Sequence, residues 1–238
     1  MTKSHGFQFK QFFIAHDKCA MKVNTDGILL GAIADIRQKR QILDLGTGTG
    51  LIAIMLAQRT DENTQITALE LEPNAYRQAV ENCRNSAFSH RLQVCLGDVL
   101  DYDFNRKFDL IVSNPPYFTD SLASRSHERD LARSAIQSHS HLDWLLQAKK
   151  WLAEQGEITF ILPFDAAEKL LEQSKTSGLF CVKICKIITK QGQQAKRMIL
   201  SFSSEKRPLT IQELVIYDAD NHYTEAFKQL TNAFYLKM

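Results

Sequence analysis

The chain lacks the features that mark membrane, secreted and repetitive proteins. No apolar run is as long as a membrane-spanning helix requires, and the opening residues Met1–Gly6 lack the apolar core of a signal peptide. Low-complexity tracts and internal repeats are absent as well. We therefore expect a soluble protein in the cytoplasm, with no membrane partner.

Charge and metal-ligand patterns are also sparse. The formal net charge is only +2, so any polyanionic partner must meet a local basic patch. The histidines lack ligand spacing, and the cysteines are odd in number and show no metal pattern, which predicts reduced thiols and no metal site. The cysteines are Cys19, Cys83, Cys95, Cys181 and Cys185.

What remains is ordinary globular composition. The chain has 238 residues, of which 44% are hydrophobic and 24% charged, and this length suffices to bury a full core. We predict a single domain over residues 1–238, with residues 1–40 as a small N-terminal extension near the mouth of the active site. We expect the protein to be a monomer.

The loop Asn114-Pro115-Pro116-Tyr117 follows the apolar segment Phe108–Val112. An apolar, β-branched run that ends at two prolines indicates a buried strand stopping at a rigid loop. The Asn114 amide and the Pro115 carbonyl supply two hydrogen-bond acceptors, and Tyr117 supplies a flat ring. Together they suit a planar substrate that carries an NH2 group. A simple turn is the alternative, because these residue types favour turns.

A second motif, Asp44–Gly50, lies between a predicted strand, Gln41–Leu45, and a predicted helix, Leu51–Ala57. Glycines in such a loop permit a tight turn and let backbone N–H groups approach a ligand. The next predicted strand ends at Glu70, about twenty positions on, as expected for a carboxylate that binds both ribose hydroxyls. The pattern therefore predicts a nucleotide-type cofactor.

The glycine spacing favours S-adenosylmethionine over NAD. Gly46, Gly48 and Gly50 give G-x-G-x-G, whereas dinucleotide sites use G-x-G-x-x-G. Asp44 would repel a pyrophosphate but suits an ammonium and a sulfonium. Asp98, after the third predicted strand, is a candidate acceptor for the adenine amino group, with a turn role as the alternative. The candidate cofactor contacts are Thr25, Asp26, Asp44, Gly46, Thr47, Gly48, Gly50, Glu70, Asp98 and Asn114.

Basic residues gather in three places that suit a nucleic acid. One is the N-terminal segment, one is a helix predicted over residues 124–137, and one surrounds the last predicted hairpin. Ordinary solvated surface is the alternative for each. The candidate phosphate contacts are Lys18, Lys22, Arg125, Arg129, Arg133, Lys190, Lys196 and Arg197.

Alternating strand and helix signals predict a Rossmann-like α/β fold with helices on both faces of the sheet. The short connection before the last predicted strand suggests an antiparallel pair there. Further predicted helices are Ile28–Ala34, Pro73–Ser86, Leu142–Leu152 and Asp165–Ser177. Further predicted strands are Ile66–Glu70, Leu92–Leu96, Glu157–Leu162, Phe180–Thr189 and Met198–Ser203.

The two loop motifs, with Glu70 and Asp98, resemble the class I S-adenosylmethionine-dependent amino-methyltransferases. Four further blocks resemble the bacterial tRNA1(Val) adenine-N6 methyltransferases more narrowly. These blocks are Phe9–Phe12, His16–Val23, Thr25–Gly31 and Phe234–Met238. The chain departs from that family at Asn24, where we expect glycine.

The resemblance implies a seven-stranded, mostly parallel sheet with one antiparallel strand. It also implies methylation of the N6 amino group of adenine 37, beside the anticodon of a valine tRNA. The catalytic residues would be Asn114, Pro115 and Tyr117.

Two alternatives stay open from the residues. A glutamine-N5 methyltransferase that acts on a release factor carries the same loop, although such enzymes usually have a helical substrate domain where only residues 1–40 stand here. Guanine-N2 methyltransferases resemble the chain too, but they typically have phenylalanine at the position of Tyr117. A noncatalytic RNA-binding protein with the same fold is the second alternative, which intact Asp44 and Glu70 disfavour.

Overall fold

The computed structural model describes residues 6–19, 22–116 and 140–237. Within these ranges the chain forms a two-stranded ribbon, an eight-stranded sheet and six α-helices. The strands are β1 Gly6–Gln8, β2 Phe13–Ala15, β3 Gln41–Leu45, β4 Gln65–Glu70, β5 Leu92–Leu96, β6 Phe108–Ser113, β7 Leu152–Pro163, β8 Phe180–Lys190, β9 Arg197–Ser203 and β10 Thr210–Tyr217. The helices are α1 Thr25–Ile33, α2 Leu51–Arg59, α3 Pro73–Asn85, α4 His141–Trp151, α5 Phe164–Gln173 and α6 Glu225–Thr231.

The large sheet has the strand order β10-β8-β9-β7-β6-β3-β4-β5. All neighbouring pairs are parallel except those of β9, which runs antiparallel to both β7 and β8. The predicted α/β fold with one reversed strand is therefore confirmed. Because β3 to β6 are parallel, the loops that follow these four strands emerge at one edge of the sheet.

The predicted strand count was wrong by one, because β10 adds an eighth strand next to β8. Its first four residues are exposed, and only Leu214 and Ile216 are buried. A strand at the sheet edge needs few apolar residues, so the alternation that predicts a strand covers only its second half.

Both faces of the sheet are covered. Leu43 and Leu45 pack on one face with α4 and α5, whereas Ile42 lies on the other with α1 and α2. This division follows from the alternation of side chains along β3. Among the described residues, no helix combines the length and apolar character that a bilayer crossing requires.

The N-terminal ribbon packs on the same side as α2. Phe9, Phe12 and Ile14 are buried in a cluster that includes Met55 and, from the C-terminal segment, Phe234. The amide of Lys10 also donates to the carbonyl of Phe234 at 2.8 Å. The two ends of the chain are thus held together beside α2.

Helix α1 begins with a side-chain cap. The Asn24 side chain accepts a hydrogen bond from the amide of Gly27 at 2.9 Å, and Asn24 itself is extended, with φ −137°. No left-handed backbone is needed at this position, so asparagine can stand where we expected glycine and also caps the helix.

Candidate functional site

The glycine loop after β3 has a backbone that only glycine adopts readily. Gly46, Gly48 and Gly50 have φ values of +66°, +58° and +81°. The amide of Gly46 donates to the carbonyl of Leu69, at the end of β4, over 2.9 Å. A Cβ atom on Gly46 would lie 3.0 Å from the Trp144 ring, whereas one on Gly48 would have no neighbour within 4 Å. The loop is therefore tightly seated at Gly46 and open at Gly48.

Asp44 lies fully buried at the foot of this loop. Its Oδ2 atom accepts a hydrogen bond from the Thr47 hydroxyl at 2.6 Å, and its Oδ1 atom has no hydrogen-bond partner among the residues described. Burial raises the pKa of Asp44 to about 7, against the opposing effects of the Thr47 hydroxyl and the Ala53 backbone. A cationic group nearby would favour the carboxylate form, so the site suits a ligand with positive charge.

Glu70 joins the glycine loop to the loop after β4. Its Oε2 atom accepts from the Gly48 amide at 2.7 Å, and its Oε1 atom accepts from the amides of Leu71 and Glu72 at 3.0 and 2.9 Å. Oε1 thus has both lone pairs occupied, whereas Oε2 retains capacity for one hydroxyl donor. The N-terminal segment passes close to Glu70. Burial and the charges of Glu70 and Glu72 therefore raise the pKa of Cys19, in that segment, to about 11.

Asp98 lies beside Glu70 along the same edge. The amide of Gly97 donates to the Glu70 carbonyl at 2.8 Å, while the Asp98 Oδ1 atom accepts from the Leu100 amide at 2.9 Å. The backbone carbonyl of Asp98 also accepts from Tyr102 at 2.8 Å. Asp98 therefore stabilises a turn, which was its alternative role, and it stands next to the ribose carboxylate candidate.

The proline loop begins beside the glycine loop. Ser113, the last residue of β6, is paired with Leu45 and donates its hydroxyl to the Leu45 carbonyl at 2.8 Å. Asn114 is partly exposed and Pro115 is buried. The structure therefore brings Asn114 and Pro115 to the edge that carries Asp44 and Glu70, whereas Tyr117 lies outside the described residues.

His141, the first residue of α4, contacts the proline loop. Burial lowers the pKa of His141, and a hydrogen bond with the backbone of Pro116 partly opposes that shift. The helix itself starts with a capping box, in which Ser140 and Asp143 satisfy each other's backbone amides. The fixed start of α4 thus supports the loop's third residue.

Thr25 and Asp26 are the first two residues of helix α1. The Asp26 Oδ2 atom accepts from the Arg197 Nε atom at 2.9 Å, and both side chains are partly buried. A candidate cofactor contact and a candidate phosphate contact therefore bind each other. No sequence pattern predicts this pair, because the two residues are 171 positions apart.

The other candidate phosphate contacts are dispersed. Lys18 pairs with Glu81 of α3 at 2.5 Å, and Lys190 donates to the Asn221 Oδ1 atom at 2.7 Å. Lys22 and Lys196 are exposed. The three remaining candidates lie outside the described residues; they are Arg125, Arg129 and Arg133.

Asn82 of α3 is a site residue that sequence reasoning missed. Its side chain is 2% exposed, and it accepts from the Ala15 amide at 3.0 Å while donating to the carbonyls of Ala15 and Thr49 at 2.8 Å each. One turn earlier, Gln78 accepts from the Lys18 amide at 3.1 Å. Two amides on the apolar face of an amphipathic helix were the available signal.

The residues at this edge fit S-adenosylmethionine. The Oδ1 atom of Asp44 matches a cationic ligand, the open backbone at Gly48 permits close approach, and Oε2 of Glu70 can accept a ribose hydroxyl. The structure brings together Asp44, Thr47, Glu70, Asp98 and Asn114 with the three glycines.

Comparison with known proteins agrees with this geometry. The family model of the methyltransferase small domain matches residues 22–174. A predicted O-methyltransferase from Agrobacterium tumefaciens has the same fold, with a TM-score of 0.67 and 22% identity over 88% of this chain and 96% of that one. The fold and the site thus define an S-adenosylmethionine-dependent methyltransferase.

Relatives along the whole chain narrow the class. A protein of Actinobacillus pleuropneumoniae serotype 7 is 86% identical over 238 residues, which is 100% of both chains. A protein of Haemophilus influenzae strain 86-028NP is 52% identical over 98% of this chain and 99% of its own. Both are named tRNA1(Val) (adenine(37)-N6)-methyltransferase, and the chain belongs to this family.

Proposed function

We propose that this protein methylates the N6 amino group of adenine 37 in the anticodon loop of tRNA1(Val), acting as a cytoplasmic monomer of one domain. The observation that carries the proposal is the pairing of Ser113 with Leu45, because it sets the acceptors of Asn114 and Pro115 beside the glycine loop. An amine held there would face a cofactor bound at Asp44. The names of the full-length relatives supply the acceptor.

The cofactor roles follow from the side chains at the sheet edge. Asp44 would face the positive end of S-adenosylmethionine, which supplies a methyl group on a cationic sulfur. Oε2 of Glu70 would accept a ribose hydroxyl, and the carboxylate oxygen of Asp98 that does not bind the Leu100 amide would accept a hydrogen bond from the adenine amino group. Thr47 holds the Asp44 carboxyl in place. Gly46, Gly48 and Gly50 shape the loop, and Thr25 and Asp26 would border the bound cofactor.

The chain's contribution to methyl transfer is alignment. The Asn114 amide oxygen and the Pro115 carbonyl would accept hydrogen bonds from the two N–H groups of the amine. This arrangement leaves the nitrogen lone pair directed at the methyl group. With the cofactor bound, Asn114 and Pro115 would hold the nitrogen in line with the methyl group that the cofactor supplies; the sulfur would leave as a neutral thioether, and the proton of the amine would pass to water. No strongly basic side chain is needed.

The target adenine must leave its stack to reach this loop. Unstacking costs a few kcal/mol, and less in a loop than in a duplex. Stacking on Tyr117 would return about 1–3 kcal/mol. The candidate phosphate contacts would hold the flanking backbone; they are Lys18, Lys22, Arg125, Arg129, Arg133, Lys190, Lys196 and Arg197.

The acceptor class is tested with labelled S-adenosylmethionine. The purified protein is incubated with total tRNA from a strain that lacks this gene, or with a protein extract of the same strain. We expect label in tRNA and none in protein. Label in protein alone would support the glutamine alternative, and cofactor binding with no labelled acceptor would support a noncatalytic role.

A further inference from the structure

A small cavity opens at the same sheet edge, away from the glycine loop. It lies between the start of α1, the ends of β8 and β10, and helix α6, and its volume is about 210 Å³. Sites for drug-sized ligands usually measure about 300–1,000 Å³, so this cavity suits one ring system rather than a whole cofactor. The residues that matter here are Thr25, Asp26, Lys196, Arg197, Tyr217 and Tyr223.

One wall of the cavity is aromatic. The rings of Tyr217 and Tyr223 stack with centroids 4.9 Å apart and planes 22° apart, and Phe227 supports Tyr223 at 4.9 Å. A hydrogen bond between the two hydroxyls raises the pKa of Tyr223 to about 12, so this phenol stays neutral at physiological pH. Neutral aromatic side chains of this kind are the surfaces on which unstacked bases bind.

Charged residues also line the cavity. Asp26 and Arg197 neutralise each other in their ion pair, with 20% and 31% of their side chains exposed. Lys196 is exposed at the rim and forms no ion pair with any residue that the structure describes. The three charged residues that line the cavity therefore carry a net charge of +1, which suits a neighbouring phosphate.

The cavity is also within reach of the proline loop. Because β9 is antiparallel, its first residue, Arg197, pairs with Pro163 at the end of β7. Strand β7 in turn lies next to β6, whose last residue precedes Asn114. Two strand spacings, about 10 Å, therefore separate Arg197 laterally from the proline loop.

We propose that this cavity binds one unstacked base of the RNA substrate next to the methylated adenine, with the Tyr217–Tyr223 wall as the stacking surface and Lys196 at the adjoining phosphate. This inference rests on the proposed function. It adds a second base site, by which the enzyme holds the loop open and selects its sequence neighbourhood.

The test combines protein and RNA variants. Tyr223→Leu removes the ring but keeps apolar volume, and Tyr223→Phe is the matched control that keeps the ring. Anticodon stem-loop RNAs carry an abasic nucleotide at each loop position in turn, the target adenine excepted. Binding is measured by fluorescence anisotropy, and methylation by label transfer.

We expect Tyr223→Leu to weaken RNA binding about tenfold while S-adenosylmethionine affinity is unchanged, and Tyr223→Phe to stay within about twofold of the wild type. One abasic RNA should bind the wild type about tenfold more weakly than intact RNA does. Tyr223→Leu should bind this abasic RNA and intact RNA with the same affinity. The proposal would be overturned if the affinity losses from Tyr223→Leu and from the abasic nucleotide multiplied. It would also be overturned if no abasic position weakened binding to the wild type.

Two controls keep the test decisive. If thermal unfolding shows that Tyr223→Leu does not fold, the abasic series on the wild type and Lys196→Gln carry the test, and Lys196→Gln should lower the salt dependence of RNA binding by about one ion. An unchanged salt dependence would then count against the site. Failure of the proposed function itself would show differently, as intact RNA that binds but receives no methyl group.

Discussion

The buried carboxyl group of Asp44 dominates the site at the scale of single residues. Its pKa is raised to about 7 because burial disfavours the charge, and hydrogen bonds from the Thr47 hydroxyl and the Ala53 backbone oppose this effect. The sequence predicted that Asp44 would suit a cationic cofactor. It could not predict the pKa, which depends on how completely the surrounding elements exclude water.

Cofactor affinity should therefore depend on pH near neutrality. Cofactor binding is expected to require the ionised form of Asp44. Below about pH 7 the carboxyl group must lose its proton on binding, so cofactor affinity should rise with pH and level off above that value. The folded-state pKa lies above the unfolded value of 3.8, so unliganded stability should fall as pH rises from about 4 through about 7. Titration calorimetry and thermal melts measure the two trends, and parallel trends would contradict this assignment.

Thr47→Val tests the supporting hydroxyl. The variant should weaken S-adenosylmethionine binding about tenfold at pH 7, since a hydrogen bond to a charged group contributes about 1.5–3 kcal/mol. It should also move the affinity inflection to higher pH. Thr47→Ser keeps the donor and should behave like the wild type; equal losses in both variants would point to packing instead.

Asn114→Ala separates transfer from cofactor binding. Loss of one amine acceptor should lower kcat about a hundredfold, because misaligned reacting groups cost about that much, and should leave cofactor affinity within about twofold. Asn105→Ala, at an exposed position outside the loop, is the control. Single-turnover kinetics and calorimetry on the same samples decide, and a parallel loss of cofactor affinity would remove Asn114 from its proposed role.

At the scale of elements, sequence patterns predicted what local chemistry determines. Glycines, prolines and apolar periodicity located the strands and helices around both loops, and the short connection before β9 revealed the reversed strand. Strand β10 escaped because an edge strand needs little apolar surface. The attachment of the N-terminal ribbon escaped as well, since it combines apolar packing with a buried amide, Asn82, that bonds to backbone groups far along the chain.

Asn82→Ala should loosen the ribbon and the glycine loop together. Removal of this amide leaves backbone groups of Ala15 and Thr49 unpaired, which should cost about 2–3 kcal/mol of unfolding free energy. Denaturant unfolding gives that cost, and hydrogen exchange at the Ala15 amide should accelerate. Asn85→Ala on the exposed end of α3 is the matched control. Unchanged exchange at Ala15 in Asn82→Ala would refute the coupling.

At the scale of the whole molecule, function depends on contacts between distant parts of the chain. Asp26 meets Arg197 across 171 positions, and the aromatic cavity combines residues of α1, β8, β10 and α6. Periodicity and spacing carry no information about such meetings, so the basic residues were predicted as one class. The structure separates them into paired cations, such as Lys18, and cations without an ion pair to any described residue, such as Lys196.

RNA binding should respond to salt although the net charge is only +2. A local cationic surface releases counterions on binding, so tRNA affinity should fall at least about tenfold between 50 and 200 mM salt. S-adenosylmethionine affinity should change less than about twofold, because a small ligand without phosphates releases few counterions. Filter binding and calorimetry in the same buffers measure the two responses. An RNA affinity independent of salt would exclude phosphate contacts as its main source.

The central claim is that the Asn114 loop presents an adenine amine to the cofactor held at Asp44. The most direct measurement is nucleoside mass spectrometry of a tRNA1(Val) transcript after reaction with the wild-type protein. A second transcript carries guanine in place of adenine 37. We expect N6-methyladenosine in the first transcript and none in the second, with Asn114→Ala binding cofactor but producing little product. Equal methylation of both transcripts, or methylated guanine in the second, would contradict the claim.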